Sequence, residues 1–269
     1  MSIEALFPFA GNHSIQSLAF VFEWANPLTP HQLQEAAKLA PSLKSHFPKV
    51  VPLQTMTFTL GPVPNMPQIP NDARGIGGIH FHGRPTPEGV PSQELQINPS
   101  NCVIIINQYT RWASVWDSVQ SWLEVVFPEI LPAHPVSSLG LQCTDLFHWR
   151  GNPELLVMRE IFQESDYLPK HVFDRKSLWH SHHGFFEDIS APVPCRLLEN
   201  VNVGWLENNK QRSISIQCVH KAELSEQVWD IAALKSIFGQ ILPGLHDRNK
   251  KILGSLLTKP VCEKIKLVV

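Results

Sequence analysis

The chain has 269 residues, of which 22 are basic and 24 acidic, for a formal net charge of -2 with the histidines neutral. With 43% hydrophobic and 17% charged residues, it has enough apolar content for a buried core. It lacks the low hydrophobicity and high net charge that keep a chain disordered. The near-neutral balance also argues against a nucleic-acid partner, because phosphate neutralisation rewards a basic excess.

Five cysteines, Cys102, Cys143, Cys195, Cys218 and Cys262, form no CxxC pair. That odd count argues against a disulfide framework and against a zinc ribbon. The opening MSIEALFPFAGNHS lacks the basic and apolar regions of a secretory signal. No run reaches the ~18 apolar residues of a membrane span. The expected compartment is a reducing cytoplasm, with no membrane partner.

In chain order, HSIQSLAFVFEW reads as a strand. NPLTPHQLQEAAKLAPSLKSHF reads as a helix with Thr29 as N-cap and Pro30 in its first turn, kinked or split at Pro41. KVVPLQTMTFTL is a strand by the alternation of Met56, Phe58 and Leu60 with threonines, and the proline- and glycine-rich run after it is loop. The strand GGIHFHG follows, then the hairpin SQELQIN–CVIIINQYT. RWASVWDSVQSWLEVVF is the clearest helix, striped by Trp112, Val115, Trp116, Val119, Leu123 and Val126 and ended by Pro128.

The order then repeats in outline. VSSLGLQCTDLFHW is a strand, and NPELLVMREIF a short helix capped by Asn152. LWHSHHGFF lies in the next strand region, and a long hairpin turns at ENNKQ. SEQVWDIAALKSIFGQIL is a helix interrupted at Pro243 and Gly244, with LHDRNKKILGSLL and a small terminal helix beyond it. The expected fold class is α+β, with antiparallel strands covered by helices in two lobes, 1–135 and 136–269. The lobes read as an internal β-α-β-β-β-α duplication whose sheets can join into one surface.

The run LQINPSNCVIIINQYTRWASVWDSVQSWLEVVFPEI and the tail LHDRNKKILGSLLTKPVCEKI carry a resemblance. Leu95 and Gln96 lie in a strand that leads through a short turn to a hydrophobic strand, and Tyr109 and Trp112 stand at the start of a helix. In these features the chain resembles an uncharacterised, sporadically distributed bacterial protein family of similar length. The resemblance implies a bacterial source and an accessory role, such as a defence system or a toxin–antitoxin pair. It supplies no catalytic residues to carry over.

Two strand histidine pairs are the sharpest candidates for chemistry: His80 with His82, and His180 with His182. Residues two apart on a strand share a face, so each pair can offer two imidazoles to a divalent metal. A third ligand would come from His148, Glu187 or Asp188. Against this, HxH is a short pattern and also suits a solvent-facing strand. Cys218 and His220, likewise two apart, allow an activated thiol, but such a cysteine is more commonly a small buried hydrophobe. GIGG at 75–78 enters a strand rather than a helix, which is the wrong setting for a phosphate loop. Tyr109 and Arg111 cluster at a strand-to-helix junction, where they suit a helix-start anchor, and Trp122 sits off the apolar stripe of its helix, where core or core edge is the commoner place; these three are nevertheless the candidate binding residues.

Without a catalytic constellation, the sequence favours a non-enzymatic protein-recognition or assembly module. Its partner would be a protein encoded by a neighbouring gene, or further copies of itself, and no cofactor is expected. Two alternatives stand beside this reading. One is a metal-dependent enzyme using the paired histidines, and the other is a small-ligand sensor with its site between sheet and helix.

Overall fold

The structure is a computed structural model that describes residues 2–54 and 76–268; the threonine-rich alternation expected at 55–60 lies outside these. A short helix, α1 (Ser2–Ala5), leads into β1 (Leu6–Pro8) and then β2 (Ile15–Trp24). The expected first helix is split as its proline demands. α2 (Pro30–Ala37) starts on a full capping box, in which Thr29 accepts from the Gln32 amide and the Gln32 side chain from the Thr29 amide. α3 (Ala40–Leu43) follows.

Four strands come next: β3 (Lys49–Gln54), β4 (Ile76–His82), β5 (Gln93–Ile97) and β6 (Asn101–Ile106). The long helix α4 (Trp112–Ile130) closes the first half. The second half holds β7 (Val136–Trp149), α5 (Met158–Ile161), β8 (Trp179–Ile189), β9 (Cys195–Asn208), β10 (Gln211–Val228), α6 (Ile231–Leu256) and α7 (Lys259–Lys264). The β9–β10 turn is made by Asn209 and Lys210, both at positive φ (49° and 66°). Two consecutive left-handed residues give the type I′ geometry whose twist suits a two-residue hairpin.

The strands form one ten-stranded sheet in the order β3-β4-β5-β6-β2-β7-β10-β9-β8, with β1 pairing the end of β7. All pairings are antiparallel. The mixed α+β class expected from the sequence is therefore present, as a single sheet. The two halves meet where β2 pairs β7, and each lays its other strands outward from that pair.

One face of the sheet is covered by helices. The larger core joins β2, β4, β5 and β6 to α2, α4 and the first part of α6, and takes in Leu139, Leu141 and Cys143 of β7. It thus draws on residues from both sides of position 135. The smaller core lies under the end of α6, with Phe147, Val201, Val203, Trp205, Ile214 and Ile216 facing Ile252, Leu253 and Leu256.

Four local expectations are corrected. Pro128 does not end α4; it lies in the last turn, where it forfeits a single backbone bond, and the helix runs on to Ile130. Pro243 and Gly244 do not interrupt α6, which is continuous for 26 residues. Buried Ile241, Leu242 and Leu245 flank that proline. At about 1.5–3 kcal/mol each, they outweigh the roughly 3 kcal/mol cost of an interior proline. The helix expected from Asn152 is instead a 3-10 turn (Pro153–Leu155), in which Asn152 accepts from the Glu154 amide, followed by the separate α5. Residues 225–228, expected at the start of the last long helix, also belong to β10 rather than to α6.

Candidate functional site

The two histidine pairs lie near opposite edges of the sheet. His80 and His82 are on β4, second from one edge, and His180 and His182 are on β8, the other edge. Seven strand spacings of ~4.8 Å put them on the order of 30 Å apart, so the four histidines do not form one site. Neither do His148, Glu187 and Asp188 join the first pair.

On β4, Ile79 and Phe81 point into the core, which turns His80 and His82 to the opposite face. The register sets Glu94 of β5 directly across from His82. The carboxylate Oε2 stands 4.0 Å from His82 Nε2, and one ligand atom from each of His80, His82 and Glu94 lies within 4.8 Å of the other two. Burial pushes the His80 pKa below the ordinary imidazole value, outweighing its hydrogen bond with Asn98. A neutral ring keeps a lone pair for a metal. Gly78 makes this arrangement possible, because a Cβ there would stand 2.7 Å from Asn98 Oδ1. Within GIGG, Gly78 thus serves a close approach between strands. Glu94 also borders a groove of about 950 Å³.

A second constellation lies on the helix-covered face. Between the two cores, the inward positions of three neighbouring strands turn polar: Asp145 on β7, His220 on β10 and Glu199 on β9, exposed by 1%, 0% and 3%. Asp145 is held by Ser14, whose hydroxyl donates to Oδ1 at 2.6 Å. Its other oxygen, Oδ2, is buried with no hydrogen-bond partner. Burial pushes the Asp145 carboxyl up to about 6, against the hydrogen bond from Ser14.

Asp145 lines a pocket of about 510 Å³ between the sheet, the start of α4, the middle of α6 and the C-terminal tail. Tyr109 and Arg111 line it too, so the structure brings two of the sequence-predicted binding residues to one cavity. Burial pushes the Tyr109 hydroxyl up to about 12. From α6 come His246, stacked flat on Trp112 at 4.0 Å, and Asn249, whose Oδ1 is buried without a partner. Burial, with Lys250 adding to it, lowers His246 to about 4. Lys250 and Lys266 bring positive charge to the wall.

Trp122 does not belong to this cavity. It is 4% exposed and packs edge-on against Phe47 at 4.8 Å. The α2–α3 segment covers the side of α4 that the helical stripe alone leaves open, so Trp122 is core.

On the far side of α6, Glu199 accepts from the Tyr167 hydroxyl at 2.9 Å. Arg248 Nη1 stands at 3.5 Å and His220 Nδ1 at 3.7 Å from its Oε2. Burial alone would raise the Glu199 carboxyl, but His220, Tyr167 and Arg248 together hold it below the usual carboxylate range. The Cys218–His220 pair is no nucleophile. Cys218 is fully buried, and desolvation drives its thiol well above the ordinary value, where the reactive thiolate is not populated.

Sequence reasoning missed Asp145, Ser14, Glu94, His246 and Asn249. Asp145 carried a visible signal. In Leu139, Leu141, Cys143, Asp145, Phe147 and Trp149, it alone is charged among inward-facing residues.

The chain matches no protein-family model, and no curated protein matches it in sequence.

Proposed function

We propose that the protein is a non-enzymatic recognition module that senses a small zwitterionic ligand in the pocket between the sheet and α6. The observation that carries this reading is the buried Asp145 carboxyl, which stands in the wall of the cavity with one oxygen lacking any hydrogen-bond partner. An unsatisfied buried acceptor costs about 1–3 kcal/mol, and more when charged. A ligand ammonium placed against Asp145 Oδ2 and Asn249 Oδ1 would recover that cost. Arg111, Lys250 and Lys266 suit the anionic end of the same molecule, although Lys250 is shared with Asp247 at 3.2 Å. The cavity volume is in the range of small-molecule sites.

Strand order also supports an internal duplication, with each half running outward from the central pair and closing on a long helix. The pocket then lies between repeats, with Ser14, Tyr109 and Arg111 from one half and Asp145, His246 and Asn249 from the other.

The test is a thermal-melt and calorimetric screen of amino acids and short peptides as zwitterion probes. At a hundred times Kd, a binder is expected to stabilise the fold by about 2.7 kcal/mol, and Asp145→Asn is expected to weaken binding tenfold or more. The reading fails if no zwitterion raises the melting temperature, or if the response survives in Asp145→Asn.

A second reading is favoured by Glu94. With His80 and His82 it makes a two-histidine, one-carboxylate set of the kind that binds a divalent metal and leaves positions open for water or substrate. Such a centre would support metal-dependent chemistry at the groove. Elemental analysis after dialysis against Zn²⁺ or Fe²⁺ is expected to give one metal per chain, lost in Glu94→Ala and kept in His182→Ala. Trace metal only, or loss on His182→Ala, rules the centre out.

A further inference from the structure

Strand β8 forms one edge of the sheet and pairs only with β9 among the described residues. Eight of its eleven residues are exposed, including Phe185 at 38% and Phe186 at 54%. A long edge of this kind offers a row of unpaired N–H and C=O groups and is normally blunted by proline, by charged side chains (lysine above all) or by a bulge. The opposite edge strand, β3, carries both Lys49 and Pro52. β8 has neither, and its pairing to β9 runs through eleven residues without a register shift. The charges it does carry, Glu187 and Asp188, sit at one end of the strand and leave the rest of the edge open to pairing.

The sequence of β8, WHSHHGFFEDI, also says with what. Its first half carries the histidines and its second half the carboxylates. An antiparallel copy of the same strand, centred on Phe185, sets His182 opposite Asp188 and His183 opposite Glu187. By symmetry each pair occurs twice. Gly184 falls opposite Phe186, where the absent side chain leaves room for the ring, and the two Phe185 rings meet at the axis. Paired residues have the same parity, so all pairs lie on matching faces of a continuous sheet. Moving the centre to Gly184 keeps His180–Asp188 as the one imidazole–carboxylate pair type. Moving it to His183 sets imidazole against imidazole. The charge pattern thus selects one register. Glu187 is held through Oε2 by Arg248 at 2.9 Å, which leaves Oε1 to accept from an imidazole N–H of the second copy.

We propose that β8 is a homodimerisation edge, pairing antiparallel with β8 of a second copy about a two-fold axis at Phe185. The dimer joins two ten-stranded sheets into one through main-chain hydrogen bonds, and His182–Asp188 and His183–Glu187 set the register. This interface is independent of the ligand pocket.

The full chain is tested by sedimentation and light scattering at about 100 μM, well above a micromolar Kd. The expected mass is twice 30.4 kDa. Phe185→Lys, which places like charges at the axis, is expected to weaken the dimer tenfold or more, and so is His182→Asp. The double variant H182D/D188H again sets an imidazole opposite each carboxylate across the interface and is expected to restore the dimer. All the substituted side chains are exposed, and unchanged circular dichroism and melting behaviour will separate loss of pairing from loss of fold. A monomeric wild-type chain at this concentration overturns the proposal. So does a dimer that both single variants leave intact, or one that the charge swap does not recover.

Discussion

Asp145 shows most directly how a single inward-facing position sets behaviour. Its carboxyl titrates near pH 6 in the folded chain and near 3.8 when unfolded. Between those values the folded state holds the extra proton, so stability falls as pH rises through the window and stays lowered above it. The penalty at neutral pH is about 3 kcal/mol. Asp145→Asn keeps an acceptor for Ser14 and removes the charge. It is expected to raise stability by about that amount at pH 8 and by almost nothing at pH 4, as read by denaturant unfolding at both pH values. His246 works in the opposite sense. Its lowered pKa makes the fold lose stability as pH falls from 6.5 towards about 4, but this contribution is common to both proteins and cancels in the comparison. That cost, with one carboxylate oxygen unpartnered, is why Asp145 anchors the functional reading.

Elements were legible wherever a local rule governed them. The Thr29 box, the β5–β6 hairpin, the Asn209–Lys210 turn and the stripe of α4 all follow from spacing and from turn or cap chemistry. The failures came where packing overrode a local signal. Pro243 reads as a break until Ile241, Leu242 and Leu245 are seen pressed on the sheet. Trp122, off the stripe of its helix, reads as core edge or interface until Phe47 is brought against it from a separate segment. The two HxH strands look equivalent in sequence because strand order is written nowhere in a strand. Only the pairing of β4 with β5 shows that one pair acquires Glu94, and only the folded geometry shows that, among the described residues, the other gathers none of the predicted third ligands. The pocket was half legible. Tyr109 and Arg111 drew notice as a cluster, whereas His246 and Asn249 reach it only because α6 runs unbroken across the seam.

At the scale of the whole molecule, the two halves share one sheet and one large core. Leu139, Leu141 and Cys143 of β7 sit in the same cluster as Phe20 and Phe22 of β2. A fragment of residues 136–269 would expose that face of β7 and leave its edge unpaired. Alone it is expected to lack cooperative thermal unfolding and near-ultraviolet circular dichroism, and co-expression with residues 1–135 is expected to restore both. A cooperative melt from the isolated fragment would show instead that the second half folds alone. The same β2–β7 pairing has a consequence for synthesis. β2 ends at Trp24 and β7 begins only at Val136. At ~5–20 residues per second, the ribosome delivers the second partner of β2 roughly 5–20 s after β2 itself. Through that interval the nascent chain carries an open, aromatic-rich strand, which makes this strand a natural target for co-translational chaperones.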